Sequence, residues 1–274
     1  MKLLIDAGNT RTKWAWCPEP PLTLEMHMQV VALENRLWLH DSGCADSQAL
    51  HAALAQATEI LVSNVAGAGW LQSLAAVKEK VTVIKASPTL LGLHNSYSLP
   101  AQLGSDRWCS VLAVWLLHQR DALVVTAGTA MTMDALVTDA LVTNAPITQT
   151  VAAETSATFA GGSIQPGLSL MWQSLQQGTA QLDHDYPHNT ALANGFARNS
   201  QQAMWAGCVQ ALIAPMASQY AQLQSLTDGR QPALVLSGGD AMILQRYLPD
   251  ALSLQAIIVD NLVLKGLACL AEST

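Results

Sequence analysis

The stretch LLIDAGNTRTK, residues 3–13, decides how the chain reads. An apolar run carries Asp6 to the end of a short strand, and Ala7 and Gly8 then open a turn of small and polar residues. The same design returns 120 residues later as LVVTAGTAMTM, residues 123–133, with Leu3/Leu123, Ala7/Ala127, Gly8/Gly128 and Thr12/Thr132 coinciding. Each copy opens a segment that reads strands first and helices later. The pattern predicts an α/β protein built from a duplicated unit, cut as residues 1–119 and 120–274, with a cleft between the copies.

Outward from that stretch, apolar runs and alternation predict strands over 2–6, 12–16, 22–33, 60–65 and 81–85 in the first half. Helical spacing is read over 46–57, where Leu50, Ala53, Leu54 and Ala57 share a face, and over 69–80 and 106–119. A Pro-, Gly- and Ser-containing loop spans 86–104. In the second half strands are predicted over 123–126, 130–136, 140–143 and 233–237, with a glycine-rich crossing over 160–167. Helices follow over 168–177, 191–223 (broken or curved near Pro215) and 259–271.

Composition narrows the class. Half the residues are hydrophobic and 12% are charged, enough for a large core and against a disordered chain. A net charge of −7 with no Lys/Arg-rich run argues against nucleic-acid binding. The first apolar run ends at Asp6, too short for a signal peptide, and the longest others, such as 111–117, are too short to span a bilayer. A cytoplasmic protein without membrane contact is expected. The five cysteines are scattered, with no C-x-x-C pair, so neither a disulfide framework nor a zinc site is expected.

The turns carry the chemistry. Asn9 and Thr10 offer amide, hydroxyl and backbone N–H donors, and Lys13 adds a point charge. Phosphate oxygens with a magnesium ion suit this set, Asp6 holding the ion through water. An ordinary hairpin with a polar tip is the alternative. In the second turn Thr129 can donate to a phosphate, and Asp134 lies on the same side of its strand as Thr132. A third glycine element, Gly238-Gly239-Asp240, follows a strand and precedes a helix, where backbone can approach an adenine or ribose. Gly104-Ser105-Asp106-Arg107 enters a helix. Asp106 there is either an N-cap or the general base that takes the proton of an acceptor hydroxyl. Arg107 can pair with a substrate carboxylate or with phosphoryl oxygens. Tyr97, in the preceding loop, is either a site residue or surface packing. No Walker A loop, Rossmann fingerprint or H-E-x-x-H is present, and the seven histidines show no metal spacing.

Taken in order, 6–13, 104–107, 127–134, the GGSIQPG of 161–167, Thr179-Ala180, Asn189-Thr190, Gly195 and Ser237-Gly238-Gly239 resemble type III pantothenate kinases over nearly the full length. These belong to the acetate and sugar kinase, Hsp70 and actin superfamily. The resemblance implies two RNase H-like subdomains around a central nucleotide cleft, and a homodimer. It implies ATP binding by Asp6, Ala7, Gly8, Asn9, Thr10, Arg11, Thr12, Lys13 and Thr129. Pantothenate would contact Tyr97, Gly104, Ser105, Asp106, Arg107 and Thr190, with Asp106 as proton acceptor and Thr190 acting across the dimer interface. The family usually has Asp where this chain has Thr126, a position that helps bind a monovalent cation. The neutral Thr126 removes a charge partner for K⁺ or NH₄⁺. The family also includes Bvg accessory factors, so a regulatory module retaining the fold is the alternative to an enzyme, and a kinase for another small alcohol is a third reading.

Overall fold

A computed structural model describes residues 1–40, 43–139, 156–178, 182, 186–187 and 195–273. The described residues form two compact units. The first gathers Met1–Arg120, Thr138–Gly161 and Asn261–Thr274, and the second Asp121–Val137 and Gly162–Asp260.

In the first unit β1 (Lys2–Ala7) and β2 (Arg11–Trp16) make an antiparallel hairpin, and β3 (Val31–Glu34) adds antiparallel to β2. Helices α1 (Asn35–His40) and α2 (Ala45–Gln56) lead to β4 (Glu59–Asn64), and α3 (Ala68–Gln72) to β5 (Val81–Ile84). Both later strands run parallel on the far side of β1, giving the order β3-β2-β1-β4-β5. The short pair β6 (Thr89–Leu90) and β7 (Leu93–Asn95) precedes α4 (Ser105–His118).

Alternation along β1 sorts its two faces. Leu3, Ile5 and Ala7 join Leu50, Ala53 and Leu54 of α2 in one core, with Trp14, Trp38 and Trp70. Leu4 and Asp6 therefore lie on the other face, with their register neighbours Ala15 and Lys13 on β2 and Leu61 and Ser63 on β4.

The second unit repeats the plan. β8 (Ala122–Ala127) and β9 (Ala130–Thr138) form an antiparallel hairpin, and β10 (Ala157–Pro166), whose residues to Gly161 belong to the first unit and pair in parallel with β7 over Ala157–Phe159, lies beside β9. Helices α5 (Leu168–Gly178) and α6 (Ser200–Leu226) follow. After β11 (Ala233–Ser237), α7 (Ala241–Gln245) and α8 (Asp250–Ser253) lead to β12 (Ala256–Ile258). β11 runs parallel to β8 and β12 parallel to β11, so the order β10-β9-β8-β11-β12 matches that of the first unit strand for strand. Leu123, Val125, Met131 and Met133 pack with Trp172 of α5 and Trp205, Val209 and Leu212 of α6. Pro215 sits inside α6, which remains one helix.

The last helix, α9 (Leu262–Ser273), returns to the first unit and packs on α4, β1 and β4. A single cut of the chain at 119/120 leaves out this return, because the apolar faces of α4 and α9 bury each other. Gly266 lets them touch: a Cβ there would stand 2.1 Å from the carbonyl oxygen of Cys109.

Several segments differ from the sequence expectation. The strand over 22–33 shrinks to β3; instead of meeting a neighbouring strand, the carbonyls of Leu24 and Met26 accept from the buried Lys265 Nζ of α9, at 2.7 and 2.6 Å. The helix over 69–80 divides into α3 and a 3-10 segment, Ala75–Lys80, kinked at Val77. The glycine-rich crossing over 160–167 is mostly strand β10. The long helix starts at Ser200, capped by Asn199, whose side chain accepts from the Gln202 N–H at 2.9 Å. The strand expected over 140–143 and the residues 191–194 lie outside the described residues.

Gly266→Ala is expected to destabilise the protein by about 2–4 kcal/mol, because two backbones must move apart to admit a methyl group. Denaturant unfolding checks this; an unchanged midpoint would mean that α4 and α9 do not meet so closely.

Candidate active site

The first unit concentrates its charge at the end of β1. Asp6 stands in register with Lys13 on β2 and Ser63 on β4, a polar row on the face that α4 and α9 cover. Burial pushes the Asp6 carboxyl up to about 7; Lys13 opposes the rise and Asp106 adds to it. Lys13 Nζ is held by Asn261 Oδ1, at 3.2 Å, just before α9. Ser63 Oγ meets Ser105 Oγ at 2.9 Å, which ties β4 to the first residue of α4. The Ser105 hydroxyl is buried in that contact.

Asp106 does not cap α4 in the usual sense. Gly104 occupies the N-cap position with no side-chain cap bond, and Asp106 Oδ1 accepts from the neighbouring Arg107 N–H at 2.8 Å. Burial raises the Asp106 carboxyl above its ordinary value, while Arg107 pulls it down through that hydrogen bond and through its charge. A half-buried carboxylate at a helix N-terminus, in the field of a second carboxylate, is suited to accept a proton.

Arg107 and Tyr97 come together as the sequence reading grouped them. Arg107 Nη1 donates to Tyr97 Oη at 2.8 Å, and the guanidinium lies 5.8 Å from the Tyr97 ring centroid and 5.7 Å from that of Phe159. Phe159, fully buried at the start of β10, was not legible as a site residue; a lone Phe in a glycine-rich run carries no motif.

Within 6–13 the residues divide by direction. Asn9, Thr10 and Arg11 are exposed, whereas Ala7 and Thr12 are fully buried. The Ala7 carbonyl accepts from Val65 and Ala66 N–H groups. Thr12 accepts from Trp70 Nε1 and donates to Asn35 Oδ1, both at 2.8 Å. The side chains of Ala7 and Thr12 thus support the turn from inside instead of presenting a group to a ligand. Asn35 and Trp70 were missed by the sequence reading, since neither sits near a recognisable motif.

The second unit places an exposed Thr129 at the tip of its own turn. Its carbonyl accepts from Gly167 N–H at 2.9 Å, and the Ala127 carbonyl accepts from Asp240 N–H at 3.2 Å. Gly238, with φ +96°, allows the third glycine element this approach; a Cβ on it would lie 2.1 Å from the Ala127 oxygen. The register of this hairpin corrects the simple 120-residue alignment. Ala7 pairs with Thr12 but Ala127 pairs with Met131, so the second turn is one residue shorter. The counterpart of the Lys13–Asp6–Ser63 row is therefore Thr132–Thr126–Ser237, three neutral hydroxyls. Thr132 Oγ1 is buried with no hydrogen-bond partner, and Asp134 is buried on the same face of β9. Thr190 lies outside the described residues, as do Thr179, Ala180 and Asn189.

Two units of order 3-2-1-4-5, each opened by a glycine-turned hairpin, define the fold of the acetate and sugar kinase, Hsp70 and actin superfamily: duplicated RNase H-like subdomains. Two solved structures share it. One is a candidate Baf family transcriptional activator from Campylobacter jejuni, at TM-score 0.60 and 17% identity, covering 99% of this chain and 98% of that one. The other is a candidate 2-dehydro-3-deoxygalactonokinase from Sinorhizobium meliloti, at TM-score 0.51 and 13% identity, covering 100% and 99%. The sequence model of the type III pantothenate kinase family matches residues 2–222, and the chain belongs to that family. Relatives named type III pantothenate kinase include one from Nitrosospira multiformis, 34% identical over 99% of this chain and 91% of its own length. Another, from Aromatoleum aromaticum, is 36% identical over 99% and 98%.

The raised Asp106 carboxyl fixes the sign of a pH effect. The folded state binds this proton more tightly than the unfolded chain, so its stabilising contribution is complete below the ordinary Asp value of 3.8 and is lost as pH rises through the raised value. Asp106→Asn, which stays neutral beside Arg107 and Asp6, is expected to gain stability relative to the wild type between about pH 4 and about pH 8. Denaturation midpoints at both ends measure it; a difference independent of pH would put the Asp106 carboxyl in an ordinary solvated setting.

Proposed function

We propose that the protein catalyses ATP-dependent phosphorylation of pantothenate to 4′-phosphopantothenate, the first step of coenzyme A biosynthesis. Membership of the type III pantothenate kinase family supports the reaction. The observation that carries the residue assignment is the Tyr97–Arg107–Asp106 cluster at the start of α4. Asp106 accepts the proton of the acceptor hydroxyl as its oxygen bonds to the γ-phosphorus and ADP leaves. Arg107, steadied by Tyr97, pairs with the pantothenate carboxylate. Gly104 and Ser105 complete that subsite, with Thr190 supplied across a homodimer interface. The turn of Gly8, Asn9, Thr10 and Arg11 and the charge of Lys13 bind the ATP phosphates, and Thr129 is a further donor to ATP.

The residues fit a magnesium ion that arrives with ATP. Asp6 and Asp106 place two carboxylates in each other's field, with Lys13 as the cation acting on Asp6; burial, more than charge, lifts the Asp6 pKa to about 7, and a divalent ion would favour the ionised form. Among the described residues no cluster of three or more His, Cys, Asp or Glu could hold a metal alone, which suits an ion bound largely by phosphates. Asp6 would hold it through water, and the ion would neutralise charge on the phosphates. The Thr132–Thr126–Ser237 row offers a K⁺ or NH₄⁺ ion neutral hydroxyls and no formal charge partner at Thr126, so turnover independent of a monovalent cation is proposed. Among the described residues no helix is long and apolar enough to cross a membrane, in keeping with a proposed cytoplasmic location.

ADP release with ATP and Mg²⁺ is expected to depend on pantothenate and to stay within about twofold when K⁺ is replaced by a larger organic cation. Asp106→Asn is expected to lower kcat by about 10²–10⁴-fold while leaving the protein folded. Pantothenate-independent ADP release would overturn the substrate, full turnover by Asp106→Asn would overturn the base, and activity confined to K⁺ buffer would overturn cation independence.

A further inference from the structure

The turn from Gly8 to Thr10 has its carbonyls gripped by a single residue. Asn35, the first residue of α1, donates from Nδ2 to the Gly8 carbonyl at 2.7 Å and to the Asn9 carbonyl at 3.1 Å. Its own backbone N–H donates to the Thr10 carbonyl at 3.0 Å. Asn35 Oδ1 accepts from Thr12 Oγ1, and Thr12 Oγ1 accepts from Trp70 Nε1. The chain Trp70–Thr12–Asn35–turn is buried, with Asn35 9%, Thr12 0% and Trp70 1% exposed. The two carbonyls demand the NH₂ end of the amide, and the Thr12 hydroxyl takes the other end.

This arrangement orients the turn. In a trans peptide the C=O of one residue points opposite to the N–H of the next. Holding the Gly8 and Asn9 carbonyls toward Asn35 therefore turns the Asn9 and Thr10 N–H groups away from it, to the exposed side of the turn. Successive backbone N–H groups aimed outward make a concavity for an anion. A hairpin tip of Gly8, Asn9 and Thr10 left to itself would sample many orientations and lose entropy on ordering around a ligand. Aspartate could not replace Asn35, because a carboxylate has no N–H for the two carbonyls and would repel them.

We propose that Asn35 is a positioning residue for the nucleotide: it holds the 8–10 turn with its N–H groups toward the ATP phosphates, and Thr12 and Trp70 lock its amide. This rests on the reading of that turn as the phosphate site. A positioning residue of this kind affects the nucleotide and leaves the pantothenate side alone, since Tyr97 and Arg107 have no part in the network.

The test is steady-state kinetics of the pantothenate-dependent reaction for Asn35→Asp, Asn35→Ser and Trp70→Phe, with calorimetric ADP binding as a second readout and thermal melting as a check on folding. Asn35→Asp is expected to raise the ATP KM and the ADP Kd by about tenfold or more, with the pantothenate KM within about twofold. Trp70→Phe, which removes one remote hydrogen bond, is expected to shift the ATP KM in the same direction by about two- to threefold. Variants that melt earlier but bind ADP normally, or that raise both KM values alike, would overturn the inference and leave Asn35 a structural residue. Lys13→Ala and Asp6→Asn separate the two levels. If they weaken ATP and the Asn35 variants do not, the inference fails and the phosphate site stands; if none of them weakens ATP, the phosphate-site reading itself fails.

Discussion

A carboxylate half-buried at the end of a strand is the constraint on which the first unit depends. Asp6 sits on the sheet face covered by α4 and α9, where removing its charge from water is unfavourable enough to lift its pKa to about 7. Its neighbours are arranged around that cost. Lys13 stands opposite on β2, braced by Asn261, and Ser63 on β4 leads through Ser105 to the first turn of α4. That turn brings Asp106 close enough for the two carboxylates to feel each other. Two carboxyls drawn away from water in this way are suited to a divalent ion, which favours their ionised forms.

Duplication followed by divergence explains the second unit. The strand order, the hairpin and the glycine turn recur, yet the Lys13–Asp6–Ser63 row becomes Thr132–Thr126–Ser237. A single residue lost from the second turn shifts the register, and every charge in the row is replaced by a hydroxyl. The duplicated architecture therefore supplies two similar turns with different electrostatics. The charged row lies in the first unit; in the second, Gly167 and Gly238 approach the turn around Ala127.

Much of this was legible in residues 3–13 and 123–133, because a strand ending in a small-residue turn is a local pattern that needs no tertiary partner to be recognised. Gly104–Arg107 was legible for the same reason, and Leu50, Ala53 and Leu54 showed their buried helical face directly. What failed was non-local. Alternation over 22–33 suggested a strand, but an amine from Lys265, more than two hundred residues away, takes the carbonyls of Leu24 and Met26. Thr12 read as a ligand-facing residue within its motif, whereas the fold turns it toward Trp70 and Asn35. Asn35 itself follows a strand as many asparagines do, and only the folded chain shows three carbonyls converging on it. The return of α9 to the first unit was hidden likewise, since its apolar spacing says that it packs but not against what.

The proposed seat of the ATP phosphates is the 8–10 turn of the first unit. Backbone amide NMR of the isotope-labelled protein, titrated with magnesium and a non-hydrolysable ATP analogue, tests it most directly. The amide signals of Asn9 and Thr10 are expected to be among those that move most, and to move little when adenosine replaces the nucleotide. Saturating nucleotide that leaves both signals in place would contradict it.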